Sequence, residues 1–190
     1  MFHRSDRLLL RPVWPEDWKG ILGEIADQAI VRNLASAPWP YREDDARAFT
    51  QLPIEPLYPR FVMTRADDAC VVGCIGIDVL HAPDTVDTAN TVELGYWIGR
   101  DHWGQGYATE AGRAVLTIAR AIGHKRVIAG HFEDNPASGR VLRKLGFTAT
   151  GRRLMRHSCG RGEEAETIEY ALDLTALDDA EISPMPAVAA

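Results

Sequence analysis

The chain has 190 residues, of which 46% are hydrophobic and 25% charged, with a formal net charge of −6. That length suits one domain with a sizeable core, and that composition excludes a disordered body. The negative balance disfavours a nucleic-acid partner gripped through its phosphates and suits a cationic acceptor.

No run of about 18 apolar residues could span a bilayer, and no cationic leader precedes an apolar stretch. A cytoplasmic protein with no membrane partner is therefore expected. Cys70, Cys74 and Cys159 form neither an even disulfide framework nor a Cys-x-x-Cys pair, so no metal is expected. Cys70 and Cys74 are expected on one strand face, as small apolar groups.

In chain order, Asp6 to Pro12 reads as a strand closed by proline, and a helix begins near Pro15 with acids in its first turn. Prolines make residues 35–41 a loop, and a second helix runs from about Glu43 to before Pro53. Arg60 to Arg65 and Ala69 to Leu80 read as strands, followed by a polar turn over Pro83 to Asn90. Thr91 to Ile98 alternates, with Val92, Leu94, Tyr96 and Ile98 on one face and Glu93 beside Trp97 on the other. Then come a long helix, a strand from Arg126 to Phe132, a helix from Pro136 to about Leu145, and strands near Thr148 to His157 and Glu164 to Leu174. One domain over residues 1–175 and a flexible tail over 176–190 are expected.

Between the fourth predicted strand and the long helix lies Trp103-Gly104-Gln105-Gly106-Tyr107-Ala108-Thr109-Glu110-Ala111. A helix start offers unpaired N–H groups and the positive end of its dipole, and glycines let a diphosphate approach the backbone. A nucleotide-triphosphate loop would need Lys then Ser or Thr after the last glycine, and none is present. A dinucleotide fingerprint would need glycine where Thr109 stands. That leaves a nicotinamide-dependent oxidoreductase open but one residue short.

The Gly-x-Gly-x-Ala turn resembles the coenzyme A pyrophosphate loop of the GNAT superfamily of N-acetyltransferases. Trp103 replaces the basic residue that usually opens it, as in the RimJ/RimL-like branch. A second block, Asn135-Pro136-Ala137-Ser138 through Leu145-Gly146-Phe147, resembles the segment after strand five of the same branch. The resemblance implies an α+β fold, with a mixed and mostly antiparallel sheet of about six or seven strands flanked by about four helices. Strands four and five, here Thr91 to Ile98 and Arg126 to Phe132, would splay apart to admit acetyl-CoA.

The same resemblance implies direct acetyl transfer to a primary amine, either a protein N-terminal amine or a small molecule such as an antibiotic or polyamine. A catalytically silent coenzyme A-binding module also stays open, because Leu142 occupies the slot where many relatives carry a tyrosine acid. Tyr96, Trp97 and Ile98 would line the pantetheine arm, with a local bulge at Gly95. Trp103, Gly104, Gln105, Gly106, Tyr107, Ala108 and Thr109 would hold the diphosphate, and Asn135 and Ser138 the pantetheine and sulfur. Arg140, Arg143 and Lys144 are candidates for the 3′-phosphate.

An ammonium of pKa roughly 8 to 10 must lose its proton before it attacks. Glu93 is the first candidate base, acting through water, with His131 and Glu133 as substitutes. The Ile98 N–H would stabilise the oxyanion, and Ser138 would assist the departing thiolate. Trp39 and Tyr41, with Glu93, are candidates for acceptor binding, and so are Arg161, Glu163 and Glu164 in the last hairpin. The resemblance leaves a homodimer open.

Overall fold

Near-continuous apolar runs in the inner strands, such as residues 61–64 of one and 127–129 of another, bury both of their faces, and helices cover each side of the resulting sheet. The computed structural model describes residues 1–80 and 90–176. Most of the expected polar turn at 83–90, and nearly all of the expected tail, lie outside the described residues.

The elements are β1 (His3–Arg4), β2 (Leu8–Pro12), a 3-10 turn (Pro15–Asp17), α1 (Trp18–Ile25), α2 (Gln28–Val31), α3 (Glu43–Thr50), β3 (Arg60–Arg65) and β4 (Val71–Val79). They continue with β5 (Thr91–Ile98), a 3-10 turn (Arg100–His102), α4 (Tyr107–Ala121), β6 (Arg126–Phe132), α5 (Pro136–Lys144), β7 (Thr148–Ser158) and β8 (Glu163–Asp173). The expected α+β architecture is present, with eight strands and five α-helices among the described residues rather than about seven and four. The additions are short. β1 pairs only two residues with β2, and α2 is a single turn held by Asp27, whose carboxylate accepts the Ala29 N–H at 2.7 Å.

Strand order is β1-β2-β3-β4-β5-β6-β8-β7. Every neighbouring pair is antiparallel except β5 and β6, which run parallel. One face packs on α4 and α5 through Leu10, Phe61, Val92, Leu94, Val115 and Leu142. The other packs on α1, α2 and α3 through Ile21, Ile25, Val31, Ala46, Val62 and Trp97. The alternation along β5 therefore divides its side chains between two cores. No helix among the described residues is long and apolar enough to cross a membrane.

Two local expectations are corrected. Cys74 is buried but Cys70 is exposed, because β4 starts only at Val71. Asp68 accepts the Cys70 N–H at 3.0 Å and Ala69 takes a positive φ of 60°, which keeps Cys70 in the turn. The register then shifts between Met63 and Thr64, breaking the two-residue period on which the shared face rested. Gly95 carries no bulge: β4 and β5 pair without a shift from Gly73↔Ile98 to Val79↔Val92.

Candidate active site

β5 and β6 pair only at Thr91↔Arg126, Val92↔Val127 and Glu93↔Ile128, although the strands run on to Ile98 and Phe132. Beyond Glu93 they diverge, and the gap is a cleft of about 620 Å³, a size suited to a large ligand. Gly95 opens into it, since a β-carbon there would meet nothing within 4 Å. Gly99 donates its N–H across to the Val72 carbonyl on β4 at 2.9 Å. Successive strand N–H groups point in opposite directions, so the Ile98 N–H turns toward the cleft.

The mouth of the cleft is the start of α4. Gly104 and Gly106 have φ of +73° and +84°, the left-handed region that only glycine adopts cheaply. Gly106 is the N-cap of α4 and supplies no side-chain cap, in contrast to Asn135 on α5, whose Oδ1 accepts the Ser138 N–H at 3.3 Å. The dipole end of α4 is thus left to an anion. Thr109 contributes no free N–H, because that group already donates to the Gly106 carbonyl at 3.1 Å. Trp103 fixes the approach to the turn through its indole N–H, which donates to the Ile98 carbonyl at 2.7 Å.

Arg7 clamps the turn from outside, donating to the Gln105 carbonyl at 2.9 Å and to Glu110 Oε2 through Nε at 2.8 Å. Gln105 itself does not line the cleft, whereas Trp103, Gly104, Gly106, Tyr107, Ala108 and Thr109 do. Burial opposes the Glu110 charge, but the Arg7 N–H, the Ser5 hydroxyl and the Arg7 guanidinium outweigh it and hold the carboxyl below its ordinary range.

Two polar pairs occupy the interior. Glu93 binds the guanidinium of Arg156 on β7 with both oxygens, the Nη2–Oε2 contact being 2.8 Å. Tyr96 and Ser138 share a hydroxyl hydrogen bond of 2.7 Å. Burial pushes the Tyr96 phenol up to about 12, partly offset by the bond to Ser138, so it stays protonated. Glu93, Arg156, Tyr96, Ser138 and Asn135 all line the cleft. Arg156 and the pairing of Tyr96 with Ser138 were not read from the sequence, because each joins residues that only the sheet topology brings together.

Other candidates fall elsewhere. Tyr41 is buried in the core against α1, where burial raises its phenol to about 12. Neither it nor the half-exposed Trp39 lines the cleft. His131 lines it, but its Nδ1 donates to the Phe132 carbonyl at 2.8 Å and its Nε2 is buried without a partner, close against Gly139. Glu133 is held outside by Arg153 at 2.7 Å, which keeps its carboxyl below the usual range. Arg140 and Lys144 line the cleft, while Arg143 bonds the Tyr170 hydroxyl at 2.9 Å. Arg161 braces Asp134 and the Arg32 carbonyl, and Glu163 and Glu164 are exposed on β8, away from the cleft.

Comparison with known proteins gives this geometry a family. Residues 7–148 match the model of the acetyltransferase (GNAT) domain. Among proteins of similar sequence is the uncharacterized N-acetyltransferase YoaA of Bacillus subtilis, 29% identical over 151 residues that cover 77% of this chain and 82% of that one. Among solved structures, a GNAT-family acetyltransferase from Bacillus anthracis has a TM-score of 0.76 at 22% identity, covering 92% of this chain and 99% of that one. RimL, a ribosomal L7/L12 α-N-protein acetyltransferase solved with coenzyme A, has a TM-score of 0.74 at 19% identity, covering 93% and 100%. The chain therefore belongs to the GNAT family and is an acetyl-CoA-dependent N-acetyltransferase.

Proposed function

We propose that the chain transfers the acetyl group of acetyl-CoA directly to a protein N-terminal amine, with no covalent enzyme intermediate. The observation that carries the reading is that one cleft has both a glycine-built anion cradle at its mouth and two polar pairs inside.

The N-terminus of α4 holds the diphosphate, and the unpaired edge of β5 takes the pantetheine arm by main-chain hydrogen bonds. Glu93 receives the ammonium proton through a water. An ionised carboxylate has about four lone-pair sites, so sites remain beside those given to Arg156. Arg156 fixes the carboxylate plane and is a positioning residue. The amine nitrogen then bonds to the thioester carbon while the Ile98 N–H stabilises the oxyanion. Collapse breaks the carbon–sulfur bond, the nitrogen gives its second proton to water in the open cleft, and amide and thiolate leave.

Ser138 assists the departing sulfur by hydrogen bonding rather than by full proton transfer. A thiolate with a pKa of about 8.5 would not strip a proton from a hydroxyl relay backed by a tyrosine at about 12. Tyr96 orients the Ser138 hydroxyl. This pair offsets the missing tyrosine at Leu142, which is instead fully buried core, and argues for a working enzyme over a silent binding module. The N-terminal acceptor rests on the likeness of the cradle and of the Asn135–Ser138 block to the RimJ/RimL-like branch.

The test is amine-dependent release of coenzyme A thiol with a panel of short N-terminal peptides, aminoglycosides and polyamines. The proposal expects a higher kcat/KM for peptides. Preference for a small amine would move the acceptor, and binding of acetyl-CoA without release for any amine would make the protein a coenzyme-binding module.

A further inference from the structure

Beside the cradle turn, three elements bring together the side chains of Glu24 in the last turn of α1, Cys70 in the turn before β4, and His102 at the end of the 3-10 turn after β5, His102 also lining the cleft. Their donor atoms, one carboxylate oxygen, one sulfur and one ring nitrogen, all lie within 4.8 Å of one another. We propose that Glu24, Cys70 and His102 form a binding site for a zinc-class divalent transition metal.

The spacing fits that use. Zinc binds nitrogen and oxygen at roughly 2.0–2.1 Å and sulfur at about 2.3 Å, so a tetrahedral site has donor–donor edges of roughly 3.3–3.6 Å. His102 Nε2 and Glu24 Oε2 stand 3.5 Å apart, already one such edge and long for a hydrogen bond. The donor set, one thiol, one imidazole and one carboxylate, is what borderline-soft ions select over magnesium or calcium. Three protein ligands leave a fourth position for water.

The surroundings leave these groups available. Asp68 and Asp67 also lie near the thiol but are engaged by Arg65, and Glu24 is the carboxylate within reach of both the thiol and the imidazole. Gly99 lacks the side chain that would collide with the Glu24 carboxylate. A metal here would tie α1 and the β3–β4 turn to the segment leading into the cradle, because the His102 ring lies edge-on to Tyr107, the first residue of α4, with centroids 6.2 Å apart. On ligation Cys70 gives its thiol proton to solvent and binds as thiolate. The acetyl-transfer reading does not depend on this site.

The test uses the full chain, stripped with a chelator and titrated with Co²⁺ under reducing conditions, then with Zn²⁺ against a chromophoric competitor. The expected result is a single equivalent of Co²⁺ with a sulfur-to-metal charge-transfer band and tetrahedral d–d bands. Cys70→Ser should abolish the band while Cys159→Ser keeps it. Glu24→Gln should weaken Zn²⁺ by at least the roughly 10–100-fold that loss of an outer-sphere partner alone can cost. Circular dichroism of each variant reports folding, and Glu24→Gln gives an independent answer should Cys70→Ser fail to fold. Absence of a charge-transfer band, its survival in Cys70→Ser, its loss in Cys159→Ser, or unchanged Zn²⁺ affinity in Glu24→Gln would overturn the proposal.

Discussion

Glu93 and Ser138 stand in one cleft with different partners, and the partners define what each can do. Glu93→Gln keeps the shape but cannot take a proton, so turnover should fall by roughly 10²–10⁴ with coenzyme affinity unchanged in a binding titration. An unaltered kcat would remove Glu93 from the mechanism. Arg156→Lys cannot hold both carboxylate oxygens in one plane, and should lower kcat while leaving KM for acetyl-CoA as it was. Tyr96→Phe removes one neutral hydrogen bond, worth about 0.5–1.5 kcal/mol, which corresponds to a roughly 2- to 13-fold loss in kcat. Because burial keeps the phenol up near 12, any break in the rate profile near 10.0, where a free tyrosine titrates, should belong to the acceptor amine and persist in Tyr96→Phe. A break absent from Tyr96→Phe would instead show that the phenol ionises during turnover. The strand alternation put Glu93 and Tyr96 on opposite faces in the sequence. It could not supply Arg156, whose place opposite Glu93 depends on β8 lying between β6 and β7.

At the level of elements, α4 presents its N-terminus to the cleft only because other groups hold it there. The Arg7 clamp joins the segment before β2 to the glycine turn, and Ser5 donates to Glu110 at 2.7 Å. Glu110 has a folded pKa below the ordinary 4.5. Its contribution to stability is therefore complete above pH 4.5 and is lost as pH falls through the lower folded value. Glu110→Gln should be less stable than wild type at neutral pH, and the gap should close in thermal melts taken on acidification. A gap independent of pH would mean the charge is not what matters. This helix start was legible because Gly104, Gly106 and the apolar stripe after them are local signals. The clamp was not, since Arg7 and Glu110 lie 103 residues apart and meet only once α4 packs beside β2. α2 escaped notice because four residues are too few to show a helical period.

For the whole molecule, the sheet is closed on both faces and opened at one seam. Leu142, fully buried between α5 and the sheet, shows the cost of disturbing the closed part. Leu142→Ala should cost about 2–5 kcal/mol in denaturant melts with little change in KM. The mixed sheet and its splayed pair were foreseeable from the order of hairpins and helices, together with the resemblance of two motifs. The extent of the gap was not, because where two parallel strands stop pairing is set by what packs between them. The most direct measurement is the thermal shift of wild type and Gly106→Val with acetyl-CoA, NAD or ATP. A ligand at 100 times its Kd adds about 2.7 kcal/mol, and each kcal/mol moves a chain of this size by roughly 2–4 °C. Acetyl-CoA alone should raise the wild-type Tm by roughly 5–11 °C, and Gly106→Val should lose most of that shift. An equal shift in the variant, or a shift with NAD instead, would contradict the assignment of the cleft.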